Sequence, residues 1–228
     1  MAKTFSLSEF QTEVRNRGEY RAPYITDTEL TSYINASISH LYDILAEQDP
    51  ARYLTSSNIS VVSGTESYAL PATFYKAVSV NIPHASSPTG YILARRIPWQ
   101  ERHYFSNNVP SDQDSTCYSI RGGSIYFWPP PKWTATVVLE HIPAYTTLVS
   151  AGDTFDCENG YEEWIICDVL VKCAAKADDN GEPWERQQAK VENRIRAAGD
   201  IDHARPKTVS NVNMYGGYRG YLRYRSNS

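Results

Sequence analysis

Tyr118-Ser-Ile-Arg-Gly-Gly-Ser-Ile-Tyr-Phe-Trp128 is the stretch on which the fold turns. Two short runs of β-branched and aromatic residues flank Gly122-Gly123, and glycine supplies the positive φ angles of a two-residue hairpin turn without steric cost. Pro129-Pro130-Pro131 follows at once and stops the second strand, because proline brings no amide hydrogen to the ladder. Working outward between about Thr55 and Asp156, similar runs recur at Asn58 to Val62, Lys76 to Ile82, Tyr91 to Arg96 and Ala135 to Ile142. Clusters of Pro, Gly, Ser and Asn separate them. They predict an antiparallel sheet or small sandwich. Ile97 to Phe105 is ambiguous and fits a helical turn.

Both flanks of this block read as helix. Ser6-Leu7-Ser8-Glu9 has the order of a capping box, so a short helix should run to about Arg17, before Gly18. Thr26-Asp27-Thr28-Glu29 repeats the signal and opens a longer helix to about Gln48, with Leu30, Ile34, Ile38, Leu41 and Leu45 forming one apolar stripe. On the far side, Glu158 to about Asp178 carries Trp164, Ile165, Ile166, Val169, Leu170, Val171, Cys173 and Ala174 around most of its surface, which predicts the most buried element. Asp179-Asn180-Gly181 closes it, and Pro183 suits the first turn of a last helix to about Ala198, with Trp184, Val191 and Ile195 inward.

The predicted fold class is α+β: a helical bundle formed by the N-terminal and C-terminal helices, with an inserted antiparallel sheet or small sandwich and an extended C-terminal arm. The expected divisions are 1–54 and 157–199 for the bundle, 55–156 for the β domain and 200–228 for the arm. A chain of 228 residues, 41% hydrophobic before its 12 glycines are counted, can bury a sizeable core. The longest apolar run, Trp164 to Val171, is interrupted by Asp168 and is far short of the roughly 20 residues that span a bilayer. No secretory stretch follows Met1, so the expectation is a protein that stays in the cytoplasm where it is made. Its four cysteines, Cys117, Cys157, Cys167 and Cys173, should then be reduced core thiols. Cys167 and Cys173 lie about 9 Å apart along one helix and on different faces, beyond the reach of a disulfide.

Signals for chemistry are sparse. No phosphate-cradling loop or G-x-S-x-G occurs, and His40, His84, His103, His141 and His203 are scattered without H-E-x-x-H or C-x-x-C. Asp178-Asp179-Asn180-Gly181-Glu182 fails as a calcium loop, since placing Gly181 sixth puts Lys176 first and Gln187 twelfth. Adjacent carboxylates such as Glu162 and Glu163 diverge on a helix. The expectation is no enzyme, no metal and no cofactor.

The tail is the positive signal. From Ala204 to Ser228 there is no acid, whereas Arg205, Lys207, Arg219, Arg223 and Arg225 give it a charge of +5 against −9 for the rest of a chain whose net charge is −4. Tyr215, Tyr218, Tyr221 and Tyr224 interleave with glycines and arginines, with Leu222 among them. Such a segment builds no core of its own and should order against a partner. Tyr and Arg dominate protein interfaces, but they also stack on bases and neutralise phosphates. The acidic body repels a polyanion, so protein docking is favoured over the alternative, a nucleic-acid-binding module. A hydrolase assembled from distant carboxylates comes third.

Order and motif together resemble a family. The early capped helices with Leu30, Ile34 and Leu41 are followed by the hairpin from Ile120 to Pro131 and the strand Val137-Val-Leu-Glu-His-Ile-Pro143. Leu148 and Asp153-Thr154 then lead into the helix Tyr161 to Ala177. This is similar to the head-to-tail adaptors (connector or tail accessory proteins) of tailed bacteriophages, short-tailed ones especially, over roughly residues 5 to 198. The resemblance implies a ring, usually of twelve copies, beneath the portal protein at the portal vertex of the virion. Helices would make the contacts between subunits, and the β block would face outward or toward tail or nozzle proteins. DNA would pass through the channel without specific binding; an acidic body is compatible with that, because like charge prevents counterion-release attachment, although the sequence does not say which face bears the acids. The arm would clasp the portal through Tyr215, Tyr218, Arg219, Tyr221, Leu222, Arg223, Tyr224 and Arg225.

Overall fold

Two reciprocal caps start the chain's first helices as the sequence predicts. The Ser6 hydroxyl accepts from the Glu9 amide at 3.3 Å while the Ser6 amide donates to the Glu9 carboxylate at 2.7 Å, opening α1 (Leu7–Gly18). Thr26 and Glu29 do the same for α2 (Asp27–Gln48). Each cap satisfies two amides that the first helical turn leaves without partners. The computed structural model describes residues 3–19, 24–84, 90–157 and 160–203.

The remaining described elements are β1 (Lys3–Ser6), β2 (Thr55–Val61), β3 (Ser67–Ala69), β4 (Phe74–Pro83), β5 (Tyr91–Leu93) and β6 (Arg95–Arg96). These are followed by α3 (Arg102–Asn108), β7 (Cys117–Arg121), β8 (Ser124–Trp128), β9 (Ala135–Pro143), β10 (Thr154–Cys157), α4 (Glu162–Ala177) and α5 (Glu182–His203). The fold is α+β. One four-stranded sheet has the order β2-β9-β4-β5 and a second β3-β8-β7-β6, and β1 pairs with β10 in a separate ribbon. The hairpin is as expected: Arg121 faces Ser124 across Gly122 and Gly123, whose φ angles are 58° and 75°.

The sheets face one another. Ile59, Val61, Val80, Ile82, Val137 and Leu139 of the first meet Tyr118, Ile125 and Phe127 of the second in one core. A larger core joins α1, α2, α4 and α5, with Trp164, Phe10, Ile34, Ile38 and Leu41 fully buried. Strand β9 serves both cores, since Leu139 belongs to the sandwich and Ile142 to the helices. Polar ties reinforce the junction: Tyr42 donates to the Pro143 carbonyl at 2.7 Å, and the Asn35 amide both donates to and accepts from the Leu148 backbone.

Two expectations need correction, the strand at Tyr91 to Arg96 and the end of the last helix. Tyr91 to Arg96 is two strands rather than one: β5 pairs antiparallel with β4, Ala94 turns inward, and β6 pairs parallel with β7 in the opposite sheet. The chain here crosses between sheets, which a run of strand-forming residues does not reveal. The segment after Ile97 is helical, as the sequence allowed: a 3₁₀ turn over Trp99–Glu101 and then α3, which runs past Phe105 to Asn108. Helix α4 ends where expected, at about Asp178, which itself takes the left-handed conformation (φ 54°) ahead of Asp179-Asn180-Gly181. The Asp179 amide donates back to the Ala174 carbonyl there, so an aspartate occupies a position where glycine is commoner. The described part of α5 reaches His203, beyond Ala198; the next strong breaker in the sequence is Pro206.

Candidate functional site

The residues proposed from sequence for docking, Tyr215, Tyr218, Arg219, Tyr221, Leu222, Arg223, Tyr224 and Arg225, all lie outside the described residues. Helix α5 is the element that leads to them.

All four cysteines are free and buried. Burial, with Glu163 adding its negative charge, pushes the Cys167 thiol up to about 12. Burial alone raises Cys173 to about 11 against the opposing pull of Arg15 and Lys176. Thiols so raised stay protonated and are poor nucleophiles. His40 sits edge-on to Trp164 with ring centroids 5.0 Å apart, and His84 lies 3.4 Å from Asp114. His141 is fully buried, stacked on Phe74, and neither of its ring nitrogens has a hydrogen-bond partner among the described residues. Among the described residues, no group of three or more His, Cys, Asp or Glu is placed to hold a metal ion, and no helix is long and apolar enough to cross a membrane.

Helices α1, α2 and α4 pair several of their charges with one another. Arg17 bridges Glu163 on α4 at 2.7 Å and Glu13 on its own helix at 3.2 Å, Arg15 reaches Asp27 at 2.6 Å, and Lys176 reaches Glu29 at 2.7 Å. Lys172 sits between Asp168 and the buried Ser37 hydroxyl. These contacts tie α1, α2 and α4 together at their polar edges.

The outer face of the second sheet is built differently. Trp99, on the 3₁₀ turn that follows β6, packs edge-on against Tyr126 and Trp128 of β8 at 4.9 and 5.9 Å. The Arg102 guanidinium lies 4.7 Å from the Trp99 ring centroid and that of Arg121 lies 4.9 Å from it. Arg95 stands 5.9 Å from the Phe105 ring. Arg96, Ile97, Pro98, Trp99, Ser119 and Ile120 line an open groove of about 350 Å³ beside them. No described carboxylate is within ion-pair distance of Arg95, Arg96, Arg102 or Arg121. Arg95, Arg102 and Arg121 are held on aromatic faces with their charge still available. Sequence reading missed this cluster. Arg95-Arg96 and the three-residue step from Trp99 to Arg102 were visible, but Arg121 reaches Trp99 only through the pairing of β6 with β7.

The model of the family described as SU10 adaptor protein matches residues 5–215. The chain belongs to the SU10 adaptor family. It is thus a phage structural adaptor, as the resemblance implied, and a virion component. The adaptor match spans both cores and stops at the first of the eight docking candidates, so Tyr218 to Arg225 lie beyond it. No curated protein matches the chain.

Proposed function

We propose that this adaptor is a non-catalytic joint between the portal and tail of a short-tailed phage. It works as a ring of about twelve copies, the number usual in the family it resembles, seated below the portal at the portal vertex. The family match over residues 5–215 carries the reading. The scarcity of reactive groups and the internally paired helical block support it, because a joint needs rigidity more than chemistry. Tail or nozzle proteins bind below, and DNA passes through the channel without specific attachment. The arm docks on the portal through Tyr215, Tyr218, Arg219, Tyr221, Leu222, Arg223, Tyr224 and Arg225, ordering as it binds at an entropic cost that the new contacts exceed.

Removing residues 204–228 tests the docking role. The expected product is a folded body that no longer joins portal-bearing heads; normal joining by the truncated form overturns it. The arm's +5 charge also favours a second reading, nucleic-acid binding. That reading predicts steeply salt-dependent affinity for single- or double-stranded DNA, lost on changing Arg219, Arg223 and Arg225 to Ala.

A further inference from the structure

The four arginines around Trp99 have an unclaimed counterpart in the same chain. At the turn between α4 and α5, Asp178, Asp179, Glu182 and Glu185 are all exposed, and Arg186 is the one basic residue of the stretch. Arg186 pairs with Glu182. The turn is held in shape by the left-handed Asp178, by the Asp179 amide donating to the Ala174 carbonyl, and by the Glu182 amide donating to the Asn180 side chain at 3.0 Å. Its carboxylates are therefore presented by a fixed backbone at the end of a buried helix. The arginine cluster mirrors it: four cations, with Glu101 as the one acid between Arg95 and Arg102, and Glu101 pairs with none of them.

We infer that the groove beside Trp99 receives the acidic α4–α5 turn of a second copy of this chain. The inference rests on the ring reading and specifies which surfaces meet. A contact between two different patches on identical subunits is head-to-tail, the kind that closes into a ring when its rotation permits. Guanidinium groups suit carboxylates because their planar forks can donate two hydrogen bonds at once. Stacking on Trp99 fixes Arg102 and Arg121 beforehand, and the Arg102 donation to the Trp99 carbonyl at 3.0 Å holds one of them further. Less rotamer freedom remains to be lost on docking. A polyanion is the weaker candidate for the same groove, since the acidic remainder of the molecule repels it.

Charge exchange tests the pairing. Purified wild-type protein, Arg102→Glu/Arg121→Glu, Asp179→Arg/Glu185→Arg and the combined quadruple variant are each added at low salt to portal-bearing heads that lack the protein. Copies bound per head are then counted. Each double variant should lose about tenfold in incorporation, the factor expected when a close interfacial charge pair is broken. The quadruple variant, with both signs reversed, should recover most of it, and that recovery excludes misfolding as the cause. Arg102→Gln/Arg121→Gln provides a milder pair with the same direction of loss. Wild-type incorporation by both double variants, or a quadruple no better than either, overturns the inference and leaves the ring standing. Binding of wild type as isolated single copies overturns the ring and the inference together. Loss of DNA retention by Arg102→Glu/Arg121→Glu with incorporation unchanged overturns it in favour of nucleic acid.

Discussion

The helical block and the outer face of the second sheet use the same residue types to opposite ends. In the first, Arg15, Arg17, Lys172 and Lys176 each meet a carboxylate on the same or a neighbouring helix. In the second, Arg95, Arg102 and Arg121 meet aromatic rings. A cation paired inside its own subunit has little left to give a partner, whereas one lying on an indole face keeps its charge and its donors. The contrast separates a region that sets shape from one equipped to bind, and each half of it can be attacked.

The largest expected effect is in the helical core. Trp164 is fully buried among α1, α2, α4 and α5, so Trp164→Ala should cost about 3–5 kcal/mol, read as a lower urea midpoint. Trp99→Ala, on a half-buried ring at the surface, should cost clearly less. Equal losses would mean that the aromatic cluster is structural and would erase the contrast.

A smaller effect comes from acid. The Lys176 ammonium, followed by the Thr26 amide and hydroxyl, holds the Glu29 carboxyl below its ordinary value of 4.5, and the Ser150 and Val149 amides hold Asp153 below 3.8. Both groups bind fewer protons folded than unfolded. Their contribution is complete above the ordinary carboxylate range and is lost as the pH falls through the lowered folded values. Melting temperature should therefore fall as the pH drops through and below the ordinary carboxylate range, with a shallower fall in Glu29→Gln. An identical slope in that variant would show that the pair between α2 and α4 contributes nothing to acid stability.

What the sequence made legible was local. The capping boxes at Ser6 and Thr26, the stripe from Leu30 to Leu45 and the Gly122-Gly123 turn are each decided within a few residues, and each appears in the fold. What it hid depends on partners far along the chain. Strand β1 has four residues and pairs with β10, some 150 positions away, through Phe5 opposite Phe155 and Thr4 opposite Asp156. Neither is long enough to carry a period of its own. Strand β3 has three residues, and Ala94, where the chain crosses between sheets, joins the sandwich core with its amide donating to the Val80 carbonyl, a placement that propensity does not give. The arginine cluster was hidden for the same reason. The arm was the plainest compositional signal, and its residues from Ala204 onward lie outside the described structure.

The smallest expected change is the most informative about the binding face. Arg121→Ala leaves no carboxylate without its partner, because none is paired with it among the described residues. It also leaves Trp99 packed on Tyr126 and Trp128. Its unfolding free energy should stay within about 0.5 kcal/mol of wild type. Arg17→Ala strips a partner from Glu163 and from Glu13 and should cost more, about 1 kcal/mol. Urea unfolding of the two variants side by side ranks them. If Arg121→Ala proved the more costly, its guanidinium would be serving the fold of its own subunit, and the groove beside it would lose its claim to be held in reserve for another.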